Sequence, residues 1–174
     1  MKTCLFGLIF LGLTNLSTAQ HDLAMATTQL NDEKFTSSSS SISNENYLNL
    51  EVEAAQPLAI CIKKLQKVAA DFDVTKDPVY SKNKSITYTV NFQSNENRIT
   101  AVYNTHGIIL NSEEYYEDVR LPVKISNQLA KDYPGWAFHY STCNVSYDHD
   151  KGSEITYTID LKKENKHKSI SLTI

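Results

Sequence analysis

The sequence predicts an α+β fold made of two tandem units, each a helix followed by antiparallel strands, with both helices packed on one face of an antiparallel sheet. Three observations lead to this prediction. The motif ITYTVNF at residues 86–92 recurs as ITYTIDL at residues 155–161. A helical pattern lies upstream of each copy. The loops between consecutive strand-like segments are short, which favours antiparallel pairing.

The chain begins with a segment typical of a cleaved secretory signal, residues 1–19. Lys2 is followed by the apolar run CLFGLIFLGL, and the segment ends in the small residues STA, which is the pattern of a signal peptide. The apolar run is about half of the ~20 residues that a membrane-spanning helix needs. We therefore expect an exported protein, periplasmic or secreted, with no transmembrane segment.

The charge of the chain argues against a nucleic-acid partner. The formal net charge is −3, and removal of residues 1–19 takes away Lys2 and no acidic residue, so the net charge falls to −4. Binding to phosphates requires a concentrated basic face. The basic run LKKENKHK at residues 161–168 is more typical of a solvated hairpin turn.

Residues 20–46 are predicted to form a disordered, Ser-rich tail. The stretch TSSSSSISNEN at residues 36–46 offers little apolar surface to offset the entropy lost on ordering. Residues 47–174 are then expected to form one domain of normal size, built from two units at about residues 47–118 and 119–174.

The first unit is predicted to open with a helix in PLAICIKKLQKVAADFDV, residues 57–74. Its apolar residues recur with the i, i+3, i+4 spacing of a helix with one buried stripe, and Pro57 suits the first helical position. The repeat strand follows. RITAVYN and GIILNSEEYY then flank THG, residues 105–107, in which Gly107 can take the positive φ of a hairpin connection.

The second unit repeats this order. Pro122 suits a helix start, an apolar helical face follows, and Pro134 with Gly135 stops the helix. The strands WAFHYSTCNVSY, ITYTIDL and SISLTI come next. Period-two alternation predicts that the repeat strands are central and bury Tyr88 and Tyr157.

Trp136, the only tryptophan of the chain, follows the residues that stop the second helix. It shares strand parity with Phe138 and Tyr140. We predict that it is a core residue that fixes the second helix to the sheet. A stacking platform for a ligand is the alternative.

One part of the chain resembles a known family. The segment ITAVYNTHGIILNSEEYYEDVRLPVKISNQLAKDYPGW, residues 99–136, resembles the PepSY-like domains of exported bacterial proteins, which share the β-lactamase-inhibitor-protein-like fold. The shared features are a strand, a turn with glycine, a strand ending in acidic residues, Leu-Pro, a short helix and Tyr-Pro-Gly. The resemblance implies a non-enzymatic, protein-binding or inhibitory module of tandem α+β units, in the envelope of a Bacteroidota-type bacterium or outside the cell.

Acidic and aromatic side chains are concentrated in NSEEYYED, residues 111–118. A solvated acidic edge is the simplest interpretation, because acid–base catalysis requires a cleft that separates the pKa values of two carboxyls. The mixture also suits a protein-binding rim. The residues of this predicted rim are Glu113, Glu114, Tyr115, Tyr116 and Glu117.

Cys61 and Cys143 remain after removal of the signal and are candidates for a disulfide. Disulfides persist in exported proteins. A bridge would close a loop of about 80 residues and contribute ~4 kcal/mol by loop entropy. Two buried free thiols are the alternative.

The sequence contains no spacing that predicts a metal site, a cofactor or a catalytic centre. DHDKGSE at residues 148–154 lacks the third oxygen donor and the twelfth-position ligand of an EF-hand loop. The histidines lack the spacing of zinc ligands. No nucleophile elbow or glycine-rich phosphate loop is present.

We therefore expect an exported, non-catalytic binding module that recognises another protein or an envelope component, and an inhibitor-like role is one form that this recognition could take. One alternative is a hydrolase whose site is assembled in space from Glu113, Glu117, His139 and His149. A pocket with two of these groups in hydrogen-bond reach would favour it. A purely structural envelope protein is the other alternative.

Overall fold

A computed structural model of the protein describes residues 24–29, 44–49, 57–82 and 85–174. Within these residues the chain forms strands, α-helices and one short 3-10 helix at Val74–Lys76. The strands are β1 (Ala24–Gln29), β2 (Tyr88–Ser94), β3 (Asn97–Tyr103), β4 (Ile109–Glu117), β5 (Ala137–Asp148), β6 (Gly152–Lys163) and β7 (Lys166–Thr173). The α-helices are α1 (Glu45–Leu48), α2 (Ile60–Ala70) and α3 (Val123–Asp132).

All seven strands belong to one sheet, and their order in the sheet follows their order in the chain. Strands β2 to β7 form an antiparallel meander, and β1 pairs with β2 in parallel. The predicted hairpin between β3 and β4 is present. Gly107 has a φ of 77°, and the Asn104 side chain accepts hydrogen bonds from the His106 and Ile108 N–H groups.

The core lies between one face of the sheet, the inner face, and the three helices. Each helix contributes buried side chains to the same cluster, with Tyr47 from α1, Ile62 and Leu65 from α2, and Ile125 and Leu129 from α3. Alternate residues of the strands face them. Full burial of an apolar side chain of this size contributes about 1.5–3 kcal/mol. The principal inner-face residues are Val90, Phe92, Ile99, Tyr103, Ile109, Tyr116, Val145, Ile155, Tyr157, Ile159 and Leu161.

The predicted fold class is wrong, because the chain does not form two tandem helix-plus-strand units. Strands β4 and β5 pair in register from Asn111 with Asp148 to Glu117 with Thr142, so one sheet runs through both halves. The repeats also occupy non-equivalent places. One copy forms β2, the first strand after α2, whereas the other forms β6 and is separated from α3 by β5. Alternation specifies which face of a strand is buried, but it does not specify which strands it pairs with.

The repeat strands bury the residues that alternation predicted. Tyr88 is 3% exposed and Tyr157 is fully buried. The Tyr88 hydroxyl donates a hydrogen bond to the Ser81 carbonyl (2.9 Å) and accepts one from the Ser81 N–H (2.6 Å). This tyrosine therefore ties the connection that precedes β2 to the sheet.

Trp136 packs against the core as a partly buried side chain and is not one of the buried core residues, so the predicted core role holds only in part. Pro122 is the N-cap residue of α3. At the other end of the helix, Gly135 has a φ of 78°, and the Trp136 N–H donates to the Tyr133 carbonyl (3.2 Å). The turn delivers Trp136 directly to the start of β5.

The predicted signal peptide, residues 1–19, lies outside the described residues, as does the serine-rich stretch at residues 37–41. Two described pieces of the predicted tail belong to the fold. One is β1. The other is Asn44, whose amide donates to the Ala70 and Gly107 carbonyls (both 3.1 Å) and accepts from the Ile109 N–H (2.9 Å). Composition did not indicate this, because one buried side chain that satisfies three backbone groups leaves no compositional signal.

None of the helices that the structure describes has the length and apolar character needed to span a bilayer.

Candidate protein-binding face

The acidic and aromatic motif of β4 is divided between the two faces of the sheet. Glu114 (3% exposed) and Tyr116 (0%) point to the inner face. Glu113, Tyr115 and Glu117 lie on the opposite, outer face. Since successive side chains of a strand point to opposite faces, the predicted rim is wrong for Glu114 and Tyr116, which contribute no surface. For the other three residues the rim stays a prediction.

Glu114 is a buried carboxylate with a hydrogen-bond donor for each of its lone-pair directions. Its Oε1 accepts from the Tyr47 hydroxyl (2.6 Å) and the Ser112 hydroxyl (3.0 Å). Its Oε2 accepts from the Tyr116 hydroxyl (2.6 Å) and the Gln66 amide (2.9 Å). The network joins α1 and α2 to the middle of β4. Because a buried polar group is stabilising only when it is paired, this arrangement is a structural element of the core.

Burial raises the pKa of the Glu114 carboxyl above its ordinary value, and the hydrogen bonds from Tyr116, Tyr47, Gln66 and Ser112 offset only part of this effect. Burial also raises the pKa of the Tyr47 and Tyr116 hydroxyls, and the neighbouring Glu114 charge acts in the same direction. The tyrosines therefore remain donors at neutral pH.

The raised pKa of Glu114 predicts that the protein loses stability as the pH rises above the ordinary glutamate value of 4.5. Between the unfolded and folded pKa values, the folded carboxyl keeps its proton while the unfolded one has lost it. The free energy of unfolding then falls by at most about 1.4 kcal/mol per pH unit, and the full contribution is present only below the unfolded pKa.

This prediction is checked by urea unfolding of the wild type and Glu114→Gln at a series of pH values from about 4 to 8. The variant cannot ionise at this position, so the difference between the two unfolding free energies isolates Glu114 from the other titrating groups. A difference that stays constant across the series would show that Glu114 ionises equally in the folded and unfolded states.

On the outer face, four side chains from three neighbouring strands form one cluster. The Arg98 guanidinium of β3 lies over the Tyr115 ring of β4, 4.1 Å from its centroid. The Tyr115 hydroxyl donates to Glu117 Oε1 (2.8 Å). Tyr140 of β5 is 40% exposed and lies beside the same carboxylate. We call the outer surface formed by Arg98, Tyr115, Glu117 and Tyr140 the binding face.

The charges of the binding face are stabilised by its own hydrogen bonds. Hydrogen bonds from Tyr140 and Tyr115 lower the pKa of the Glu117 carboxyl. The same bonds raise the pKa of both tyrosine hydroxyls. At neutral pH the face therefore presents one anion, one cation and two aromatic rings held in place by their neighbours.

The register of β3, β4 and β5 brings the residues of the binding face together. For this reason the sequence indicated only part of the face. Arg98 stands directly opposite Tyr115 in the β3–β4 pair. Glu117, the last residue of β4, is opposite Thr142 of β5. Strand β5 begins five residues before Thr142, so it extends past the end of β4 and places Tyr140 beside Glu117. Cross-strand neighbours of this kind contribute about 0.2–1 kcal/mol per pair, but pairing partners are not visible in a single sequence.

One open cleft adjoins the binding face at Tyr140, and a second cleft shares part of the lining of the first. The first, of about 440 Å³, is lined by Tyr140 and by Phe138, which is 49% exposed. The second, of about 410 Å³, continues from the connection before α3 to the start of α2. Val123 and Ile60 are exposed along them, at 67% and 71%. Large exposed apolar side chains grouped around concave surface are typical of interaction sites.

The four groups of the hydrolase hypothesis lie at different places in the described sheet: Glu113 and Glu117 are four residues apart on β4, and His139 and His149 lie at opposite ends of β5. Glu117 is engaged by tyrosines. The His149 Nδ1 lies 3.4 Å from the Tyr147 hydroxyl, and the His139 ring packs beside another histidine at the far end of β5. Among the described residues, the hydrogen bonds of these groups join none of them to another. The observation that would favour a hydrolase is therefore missing from this part of the chain.

The loop DHDKGSE forms the hairpin turn between β5 and β6. Asp148 Oδ1 accepts from the Asp150 and Lys151 N–H groups (3.0 and 3.1 Å), and its other oxygen pairs with the Lys151 ammonium at 3.2 Å. These bonds lower the pKa of Asp148, with the Lys151 ammonium as the largest cause. The side chain acts as the organiser of a turn.

Cys61 and Cys143 are free thiols in the structure. Cys143 is fully buried, and burial raises the pKa of its thiol to about 12. A thiol with such a pKa is a poor nucleophile, because the reactive species is the thiolate. The disulfide between the two stays a prediction for the exported protein.

Comparisons of the chain with protein families, curated proteins and solved structures find no match. The resemblance to PepSY-like domains stays a prediction.

Proposed function

We propose that this protein is an exported, non-catalytic module that recognises another protein through its binding face. The observation that carries the proposal is the cluster of Arg98, Tyr115, Glu117 and Tyr140 on the outer face of the sheet. Arginine and tyrosine are among the residues most enriched at the centres of protein interfaces. Export itself rests on the predicted signal peptide.

The side chains of the cluster are already immobilised by one another, which lowers the entropy cost of binding. A side chain that is free in solution loses about 0.5–1.5 kcal/mol of entropy when an interface immobilises it. The Tyr115 ring is already held between the Arg98 guanidinium and the Glu117 carboxylate. Little further ordering is needed when a partner covers it, so more of the contact energy contributes to affinity.

The surroundings of the cluster indicate the chemistry of the partner. Phe138 and the adjoining cleft offer a place for one apolar side chain. Glu117 offers an anion for a partner's basic residue, and Arg98 a cation for an acidic one. We therefore expect a folded protein that presents an apolar anchor flanked by charges of both signs. The anchor and the charges would together set affinity and specificity.

The proposal predicts that Tyr140→Ala abolishes most of the binding while the protein stays folded. Partners are first captured from the envelope or culture fluid of the native host with the immobilised mature protein, then purified, and their Kd is measured by calorimetry. Truncation of a central interface tyrosine typically costs about 2 kcal/mol or more, which corresponds to roughly 30-fold in Kd. Because Tyr140 is exposed, the melting temperature of the Tyr140→Ala variant should differ little from that of the wild type.

Thr158→Ala is the matched control, since Thr158 lies on the outer face of β6 and makes its side-chain contact with Ser171 of β7. Its Kd should equal that of the wild type. Tyr115→Phe keeps the ring and removes the hydrogen bond to Glu117, so an intermediate Kd is expected. A partner whose Kd is unchanged by both Tyr140→Ala and Tyr115→Ala binds elsewhere, and that result would overturn the proposal.

A further inference from the structure

Three potential metal ligands meet at one end of the sheet, on strands β5, β6 and β7. His139, Asp160 and His167 each place a ligand atom within 4.8 Å of those of the other two. The His167 Nδ1 is 2.9 Å from Asp160 Oδ2. The two imidazole rings pack edge to face with their centroids 5.3 Å apart. No spacing in the sequence indicated this group, because each residue comes from a different strand.

A β-bulge brings His139 to this group. Phe138 pairs with Leu161 and Tyr140 pairs with Asp160, so His139 is an extra residue between two ladder positions. Strict alternation would place it on the side of the sheet opposite to Tyr140. A bulge re-aims the side chain of the inserted residue, and here it turns the imidazole towards Asp160 and His167.

The β6–β7 hairpin supplies the other two ligands, Asp160 and His167. Asp160 is opposite Ser169 in register, and His167 lies two residues from Ser169 on the same face. Diagonal neighbours of this kind are within reach of long or aromatic side chains. The same pairing explains the short contact between His167 and Asp160.

We propose that His139, Asp160 and His167 form a binding site for a divalent transition-metal cation, with Zn²⁺ as the best match. Two imidazole nitrogens and one carboxylate oxygen are a ligand set that Zn²⁺ accepts, at about 2.0–2.2 Å from the ion. The set is poor for Ca²⁺ and Mg²⁺, which take six or more oxygen ligands.

The geometry requires only small side-chain movements. Ligand atoms around one tetrahedral Zn²⁺ lie about 3–3.5 Å apart, and the His167–Asp160 contact of 2.9 Å is already close to this value. The remaining separations, up to 4.8 Å, must shorten by roughly 1–2 Å. Both histidines are exposed and Asp160 is half-buried, so rotation of the imidazoles can supply the movement. Lys162, opposite His167 in register, adds a nearby cation and limits the affinity.

Three protein ligands leave one position of a tetrahedral ion for water or for a group from another molecule. His139 also lines the cleft beside Tyr140. A bound ion would therefore lie at the border of the binding face, but the metal site does not depend on the proposed function.

Calorimetric titration of the mature protein with Zn²⁺ tests the site. We expect one Zn²⁺ per chain with an affinity at least tenfold above that of His139→Ala, His167→Ala or Asp160→Asn. All three ligands lie outside the core, so melting curves recorded without metal should show that the three ligand variants are folded.

His149→Ala is the matched control, since His149 is exposed at the opposite end of β5 and should leave the Zn²⁺ affinity unchanged. Zn²⁺ should raise the melting temperature of the wild type and of this control, and not that of His139→Ala. Absence of Zn²⁺ binding to the wild type would overturn the proposal. An equal loss of affinity in His149→Ala and His139→Ala would overturn it as well.

Discussion

Glu114→Ala is expected to lower the free energy of unfolding by about 3–5 kcal/mol, as observed when one partner of a buried charged network is removed. The substitution leaves the Tyr47 and Tyr116 hydroxyls and the Gln66 amide in the core without their acceptor. Each buried donor without a partner costs about 1–3 kcal/mol. The costs do not add in full, because the freed donors can pair partly with one another.

A domain of this kind has a total stability of about 5–15 kcal/mol, so the loss should be visible in any unfolding experiment. We expect the melting temperature to fall by roughly 10 °C. Glu113→Ala is the matched control: the same substitution one position away, at an exposed outer-face residue, should change stability by no more than about 0.5 kcal/mol. Similar losses in the two variants would show that Glu114 is not the centre of a buried network.

Tyr157→Asp is expected to prevent folding at room temperature. Tyr157 is fully buried in β6, between the inward-facing Ile155 and Ile159. The substitution removes an aromatic ring from the core, which costs about 3–5 kcal/mol. It also places a carboxyl there with no partner provided for its charge, which costs several kcal/mol more. The sum approaches the whole stability of the domain.

Circular dichroism and thermal melting of purified protein measure this effect. Thr158→Asp is the control, because Thr158 is half-buried on the outer face, where water solvates a carboxylate; its melting temperature should fall far less. Tyr157→Phe keeps the ring and should remain folded, so it separates loss of the hydroxyl from burial of a charge. If Thr158→Asp proved as damaging as Tyr157→Asp, the two faces of β6 would be assigned the wrong way round.

Local features of the fold were predictable from the sequence, because they depend on backbone geometry within a few residues. Alternation placed β2 and β6 and identified Tyr88 and Tyr157 as buried. The turn at Gly107 followed from its freedom to adopt positive φ. The apolar stripe of α2 followed from the helical period.

The burial of Glu114 shows how far such a pattern extends. Ser112, Glu114 and Tyr116 alternate with Glu113 and Tyr115, so their separation onto two faces was implicit in the sequence. Composition suggested that the whole acidic motif was solvated. The burial of Glu114 is tolerable because Tyr47 and Gln66 bring donors from α1 and α2 that complete the set begun by Ser112 and Tyr116. Tyr47 and Gln66 are far from Glu114 along the chain.

By itself the sequence determined the local elements of this protein: where its strands alternate, where its helices bury a stripe, and where glycine turns the chain. Tertiary structure alone decided the register in which β4 pairs with β5, the contact of Tyr140 with Tyr115, and the contact of His139 with Asp160 and His167. The physical reason is that side-chain period is a property of each strand, whereas register and neighbours are set by the collective packing of residues distant in the chain. Both candidate sites are made of contacts between strands, so they exist only once the sheet has formed.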